Sequence, residues 1–221
     1  MTDILYRWPE ATRFGRRVPK EKVYEHGTVS SAVREKFINE VQRITWAYKL
    51  AEATMNLPGT PAVPEIQVFT IHAKTDEVSD AVLGAIDKAI PFPIIFEITR
   101  RSAGQPETRT VAAHKQLGAG APKTSAYYST GWHPGNTWRR ALPTAITLPA
   151  LYAALLQPLT PITARPGEEM SEVADRLATV RKLEREVAAL ERKLRTEPQF
   201  NRKVELRRTL KTKQHELERQ R

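Results

Sequence analysis

Residues 64–99 read PEIQVFTIHAKTDEVSDAVLGAIDKAIPFPIIFEIT, and this stretch decides the fold class. Ile66, Val68, Phe69 and Ile71 make a β-rich run with partial alternation, as expected of a strand buried on at least one face. From Asp76 to Ile90 the apolar positions Val78, Val82, Ala85, Ile86 and Ala89 fall on one helical face, and Pro91 and Pro93 stop the helix. PIIFEIT is a second apolar run. Strand, helix and strand in succession predict an α/β (mixed α+β) globular domain rather than an all-helical one.

Downstream, SAGQPE joins TRTVAAHKQL in the manner of a β-hairpin. The loop GAGAPKT then leads into SAYYSTGW, which reads as an edge strand. Upstream, Val33, Phe37, Val41, Ile44 and Tyr48 recur at spacings of four, four, three and four, which predicts one helix from Ser31 to shortly before Pro58-Gly59. Residues 1–27 mix Pro, Gly and basic side chains with Tyr6, Trp8, Phe14 and Tyr24 without a sustained period. They are expected as a basic N-terminal arm, followed by a core domain over 28–163.

Beyond Thr160-Pro161 the composition turns to Glu, Arg, Lys and Leu. Val173, Leu177, Val180, Leu183, Val187, Leu190 and Leu194 recur at threes and fours, a heptad-like seam that Leu206, Leu210 and Leu217 resume after Pro198. Residues 164–221 are thus expected as a tail of two helices in an antiparallel, coiled-coil-like hairpin about Thr196 to Gln199. The alternative is an open angle at Pro198, with the arm packed on a partner. The candidate docking residues are Leu183, Val187, Leu190, Leu194, Leu206, Leu210 and Leu217.

With 221 residues, 40% hydrophobic and 27% charged, the chain is neither disordered nor collagen-like. It has no cysteine, which excludes disulfides, thiolate metal sites and cysteine nucleophiles. The opening MTDILYRWPE carries Asp3, Arg7 and Glu10 where a signal peptide needs apolar residues, so a cytoplasmic protein is expected. Residues 141–164 hold no charge, yet Pro143, Pro149, Pro158 and Pro161 interrupt them. Their longest unbroken helix would reach roughly 14 Å against a hydrocarbon core of about 30 Å, so no membrane span is expected.

The net charge is +10, and it is unevenly placed. Residues 199–221 hold 8 Lys+Arg against 3 Asp+Glu, whereas residues 168–197 hold 7 against 8.

The strings ITWAYKLAEATMNL, PEIQVFTIHAK, IDKAIPFPIIFEI and EPQFNRKVEL resemble a bacterial family catalogued only as domain of unknown function 4391. The resemblance covers nearly the whole chain and implies an α/β body with a helical tail, without established catalytic residues. It also implies company with helicases and DNA methyltransferases in mobile defence loci, and so a protein partner of one of those kinds.

Glu65-Ile66-Gln67, on a strand followed by a helix and a strand, is placed like the Glu-x-Lys of metal-dependent nucleases. Gln67 stands where the lysine belongs, no Asp lies between Glu52 and Glu65, and a Mg²⁺ site wants convergent carboxylates. His72 and Lys74 would compensate only on a curled strand, since a regular one turns them away from Glu65. Glu65, His72 and Lys74 stand as the catalytic alternative, beside a degenerate nuclease-like fold. Gly118 to Thr124 imitates a phosphate loop, but Pro122 replaces its glycine and strand-like residues follow. The five histidines have no metal-ligand spacing, and no metal or cofactor is expected.

Nucleic-acid contact has more support. Arg13, Arg16, Arg17, Lys20 and Lys22 interleave with Phe14 and Tyr24, and Arg139 and Arg140 follow Trp132 and Trp138. Such mixtures neutralise phosphates and stack on bases. In the last helix Arg202, Lys203, Arg207, Arg208 and Lys211 form a basic set, with Lys203, Arg207 and Lys211 on one face. The chain is expected to be a non-enzymatic accessory subunit, docking a partner through its tail and contacting DNA or RNA through basic surfaces. A nuclease centred on Glu65 and a self-associating structural module are the alternatives.

Overall fold

The computed structural model describes residues 4–117, 122–165 and 167–221, which form two compact units, residues 1–161 and residues 162–221. In the first unit the chain runs β1 (Arg13–Val18), α1 (Lys20–Gly27), α2 (Ser31–Glu40), β2 (Val41–Ala51), α3 (Glu52–Met55), β3 (Glu65–Ala73), α4 (Asp80–Ala89) and β4 (Ile94–Ser102). It continues through β5 (Gln105–Ala112), the short strands β6 (Lys115–Gln116), β7 (Lys123–Thr124), β8 (Tyr128–Ser129) and β9 (His133–Pro134), and α5 (Leu148–Leu156). The main sheet has the order β1-β2-β3-β4-β5-β8, with β9 also on β5. Among the described strands of this sheet β3 and β4 alone run parallel, joined through α4 in the strand, helix and strand order that residues 64–99 predict.

One face of this sheet carries the core. Phe69 and Ile71 of β3 and Phe96 and Ile98 of β4 alternate onto the same side and bury with Val82, Leu83 and Ile86 of α4 and Phe37 of α2. Ser30 starts α2 by accepting the Val33 N–H, and α1 and α2 both pack on α4. Ala103 and Gly104, both at positive φ, make a two-residue turn between β4 and β5.

The long helix expected from Ser31 to before Pro58 is not formed. It ends at Glu40, and β2 takes over at once. Two bulges in β2 explain the false period: Val41 pairs with Ala73 but Arg43 with His72, and Trp46 with Phe69 but Tyr48 with Val68. The residues facing α4 therefore fall at 41, 44 and 46, so the first step of a bulged strand imitates the helical three. Tyr48, placed by its spacing on the apolar stripe, lies on the opposite face.

The basic N-terminal arm is likewise corrected. Arg13–Val18 pairs with β2 as the edge strand of the sheet, and the Phe14 ring lies 4.0 Å, centroid to centroid, from Trp46. Lys20 Nζ donates to Phe37 O and Val41 O at 2.7 and 2.6 Å, fastening α1 to the α2–β2 junction.

Lys115 closes the end of α4. Its fully buried ammonium donates to the carbonyls of Asp87, Ile90 and Phe92, each at 2.9 Å, and forms an ion pair with Asp87 Oδ1 at 2.7 Å. The Tyr127 hydroxyl donates to the other oxygen of Asp87. Burial pulls the Lys115 pKa down and pushes that of Asp87 up.

In the second unit α6 (Met170–Thr196) and α7 (Phe200–Gln220) pack together, with Val180, Leu183 and Leu217 in one buried cluster. Arg176 donates to both oxygens of Glu168 at 2.7 Å and to Gln220 O at 2.9 Å, at the carboxyl end of α7. Among the described residues no helix is long and apolar enough to cross a membrane.

Candidate functional site

The sheet face turned away from α4 is divided along its length. Leu50, Ile66, Val68, Ile95 and Ala112 are buried at one end, and α5 packs on β3. At the other end cross-strand partners are polar in two rows: Arg43, His72, Thr99 and Thr108, then Thr45, Thr70, Glu97 and Thr110.

His72 Nε2 lies 2.8 Å from Arg43 Nη2, and Nδ1 lies 2.9 Å from Thr99 Oγ1. A guanidinium only donates, so Nε2 accepts and the neutral ring carries its proton on Nδ1, donated to Thr99. Burial, and then the charge of Arg43, hold the His72 pKa below its ordinary value. Glu97 Oε1 accepts from Trp8 Nε1 at 2.8 Å and Arg139 Nη1 at 2.5 Å, and Arg139 also donates to Tyr6 O at 2.9 Å. Residues 5–8 are thereby strapped to residues 139–140 over the carboxylate.

Open hollows lie on this polar area. One of about 410 Å³ is lined by Arg13, Arg17, Arg43, Thr45 and Tyr48. A second, of about 810 Å³, runs from Tyr48 to Thr70, Glu97, Arg139, Met55 and Leu142. A third, of about 830 Å³, holds His72, Lys74, Thr99 and Arg100.

Among the residues expected to contact phosphates, Arg17 and Arg140 are exposed, and Arg16 lies 4.9 Å from the Phe14 ring centroid. Arg13 pairs with Glu10 and Lys22 with Glu25, both at 2.8 Å on the surface. Lys20 and Arg139 are half-buried and already engaged, Lys20 with the carbonyls of Phe37 and Val41 and Arg139 with Glu97 and the Tyr6 carbonyl. Trp132 is engaged within the fold, with Arg100 and Arg109 at 4.0 and 4.7 Å from its ring centroid, whereas Trp138 is exposed. In α7, Arg202, Arg207, Arg208 and Lys211 are exposed and Lys203 half-buried, and none forms an ion pair with a described residue.

Of the docking residues, Leu183 and Leu217 are buried against each other within the unit, so they are not available to a separate partner. Val187, Leu190, Leu194, Leu206 and Leu210 are half-buried.

The catalytic alternative does not assemble. Glu65 starts β3, paired with Lys49 at 2.8 Å and accepting from Gln67 Nε2 at 2.5 Å. His72 near the far end of β3 and Lys74 just beyond it lie roughly 23 and 30 Å away at about 3.3 Å per residue. Lys74 donates to Ile38 O at 2.6 Å. Among the described residues no group of three His, Asp or Glu is placed to hold a metal ion. In the phosphate-loop imitation residues 118–121 lie outside the described residues, and Lys123–Thr124 form β7 rather than a helix start.

The sequence missed Arg43, Tyr48, Trp8 and Glu97. Arg43 and Tyr48 were hidden by the false helical period of β2. The available signal was the run Ile44-Thr45-Trp46-Ala47-Tyr48, whose β-branched and aromatic residues favour a strand.

The family described as domain of unknown function DUF4391 matches residues 7–217. The chain belongs to this family. The DUF4391 match takes in the sheet, the polar face and nearly all of the two long helices. Searches of the curated proteins and of the solved structures returned no match.

Proposed function

We propose that this DUF4391 chain is a non-enzymatic accessory subunit of a bacterial, DNA-related defence system, contacting nucleic acid through its basic surfaces and docking a helicase or DNA methyltransferase through its tail. The observation that carries it is the charge on α7: Arg202, Arg207, Arg208 and Lys211 are exposed and without acidic partners among the described residues. At about 100° per residue Arg207, Arg208 and Lys211 share one face of α7, and such a row suits a phosphate backbone. The contacts Arg176–Gln220, Glu184–Arg221 and Glu186–Lys213 support an antiparallel hairpin of coiled-coil type for α6 and α7. With Leu183 and Leu217 occupied inside it, docking falls to Phe200 and Val204, which are exposed at the start of α7. The cytoplasm is the setting this role requires.

Fluorescence anisotropy with a labelled duplex at several salt concentrations tests the nucleic-acid part. Binding is expected to be independent of sequence and to weaken with salt. Charge reversal at Arg207, Arg208 and Lys211 together is expected to lower the slope of log K against log salt by about 2–3, one unit or slightly less per lost phosphate contact. An unchanged slope would assign the charge of α7 to protein contact. Recovery of intact duplex in Mg²⁺ is expected, whereas cleavage lost on Glu65→Ala would make the chain a nuclease.

A further inference from the structure

The hollow lined by arginines and the hollow over Glu97 share Ala47 and Tyr48, so they are two halves of one depression in the sheet face. The second bulge of β2 creates it. Tyr48 pairs with Val68 and Thr45 with Thr70, which places both on the polar face, whereas in an unbroken alternation Tyr48 would follow Trp46 toward α4. From the neighbouring strand, Arg13 pairs with Tyr48 and Arg17 with Thr45, so those arginines join the same face. Gly15 lies between them at φ +67, and no atom comes within 4 Å of where its Cβ would be. The backbone there is open.

The charge of this half is unbalanced. Arg17 makes no ion pair with a described residue, and Arg43 faces the neutral ring of His72. Among the described residues Arg13 pairs with Glu10, in an exposed contact of little strength. Three guanidinium groups around one hollow call for an anion. The other half is different: Met55 and Leu142 supply apolar walls, and the carboxylate of Glu97 is held by Trp8 and Arg139. A bare phosphate would use only the first half. A nucleotide unit has both characters, an anionic phosphate and a flat apolar base, and a base offers its face only when it is unpaired.

We infer that this depression seats single-stranded nucleic acid, with a backbone phosphate on Arg13, Arg17 and Arg43 and an unpaired base against Tyr48. The inference rests on the nucleic-acid role proposed above and gives it a strand preference. The α7 row holds either form of nucleic acid by charge, and the sheet face distinguishes the two.

The test uses the full chain, a labelled twelve-nucleotide single strand and the corresponding duplex, read by anisotropy. Arg17→Glu and Tyr48→Ala are each expected to weaken single-strand binding by about tenfold or more and duplex binding by less than about twofold, while Tyr48→Phe keeps the stacking ring and binds normally. Arg17 is exposed and has no ion pair with a described residue, so its reversal tests the site without burdening the fold, and thermal melting checks Tyr48→Ala. Single-strand affinity unchanged in both variants, or duplex affinity lost in parallel, would overturn the inference. If only the α7 reversal weakens binding, the sheet site falls and the accessory role stands. If the unaltered chain binds neither form at low salt, both fall.

Discussion

A lysine side chain with no exposure must find acceptors for three N–H bonds, and Lys115 finds them in backbone carbonyls at and just beyond the end of α4 and in the Asp87 carboxylate. Its charge is therefore answered twice, by a carboxylate and by the carbonyl ends of a helix. Lys115→Met would fit the volume but leave Asp87 buried without its counterion. The expected loss is about 3–5 kcal/mol, the range for breaking one side of a buried pair. Urea denaturation measures it, and a loss under about 1 kcal/mol would mean that Asp87 is neutral in the fold. Nothing in the sequence marks Lys115. Its acceptors lie 23 to 28 positions earlier, and TRTVAAHKQL alone reads as an ordinary hairpin strand.

At the scale of elements, residues 64–99 were legible because an unbulged strand, an amphipathic helix and a second strand each follow one period, with prolines between them. β2 was not, because two inserted residues destroyed its alternation. The tail helices were legible from their leucine spacing, yet the contact that fastens their ends is made by an arginine. The two hydrogen bonds from Arg176, helped by the Arg165 N–H, hold Glu168 down at about 2 against an ordinary 4.5. The unfolded chain therefore takes up this proton at higher pH than the folded one. The stability it supplies is complete above pH 4.5 and is lost as the pH falls toward about 2. Thermal melting followed by circular dichroism should show this acid loss, and Glu168→Gln should show a smaller one because its side chain cannot titrate. Equal acid sensitivity in both chains would remove Glu168 as a cause.

For the whole molecule, the mixed α/β body and the pair of long helices could be expected from local pattern alone. The polar face could not, because Trp8, Arg13, Arg43, Glu97 and Arg139 come from distant parts of the chain and only strand pairing gathers them. Residues 1–161 contain the whole main sheet and the helices that cover its core face. A chain cut after Thr163 is accordingly expected to melt in one cooperative transition, measured by circular dichroism and tryptophan emission. A non-cooperative melt would show that the sheet depends on the tail.

The edge position of β1 has a consequence for association. Among the described residues β1 has a strand neighbour on one side, β2, so its outer side offers backbone donors and acceptors to an extended chain, including the same strand of another copy. Arg13, Arg16 and Arg17 set like charges against each other in such an encounter, and the kink at Gly15 spoils the register. A bound polyanion would neutralise that repulsion and leave the kink as the remaining guard. Gly15 therefore protects against strand-to-strand aggregation most when the arginines are covered.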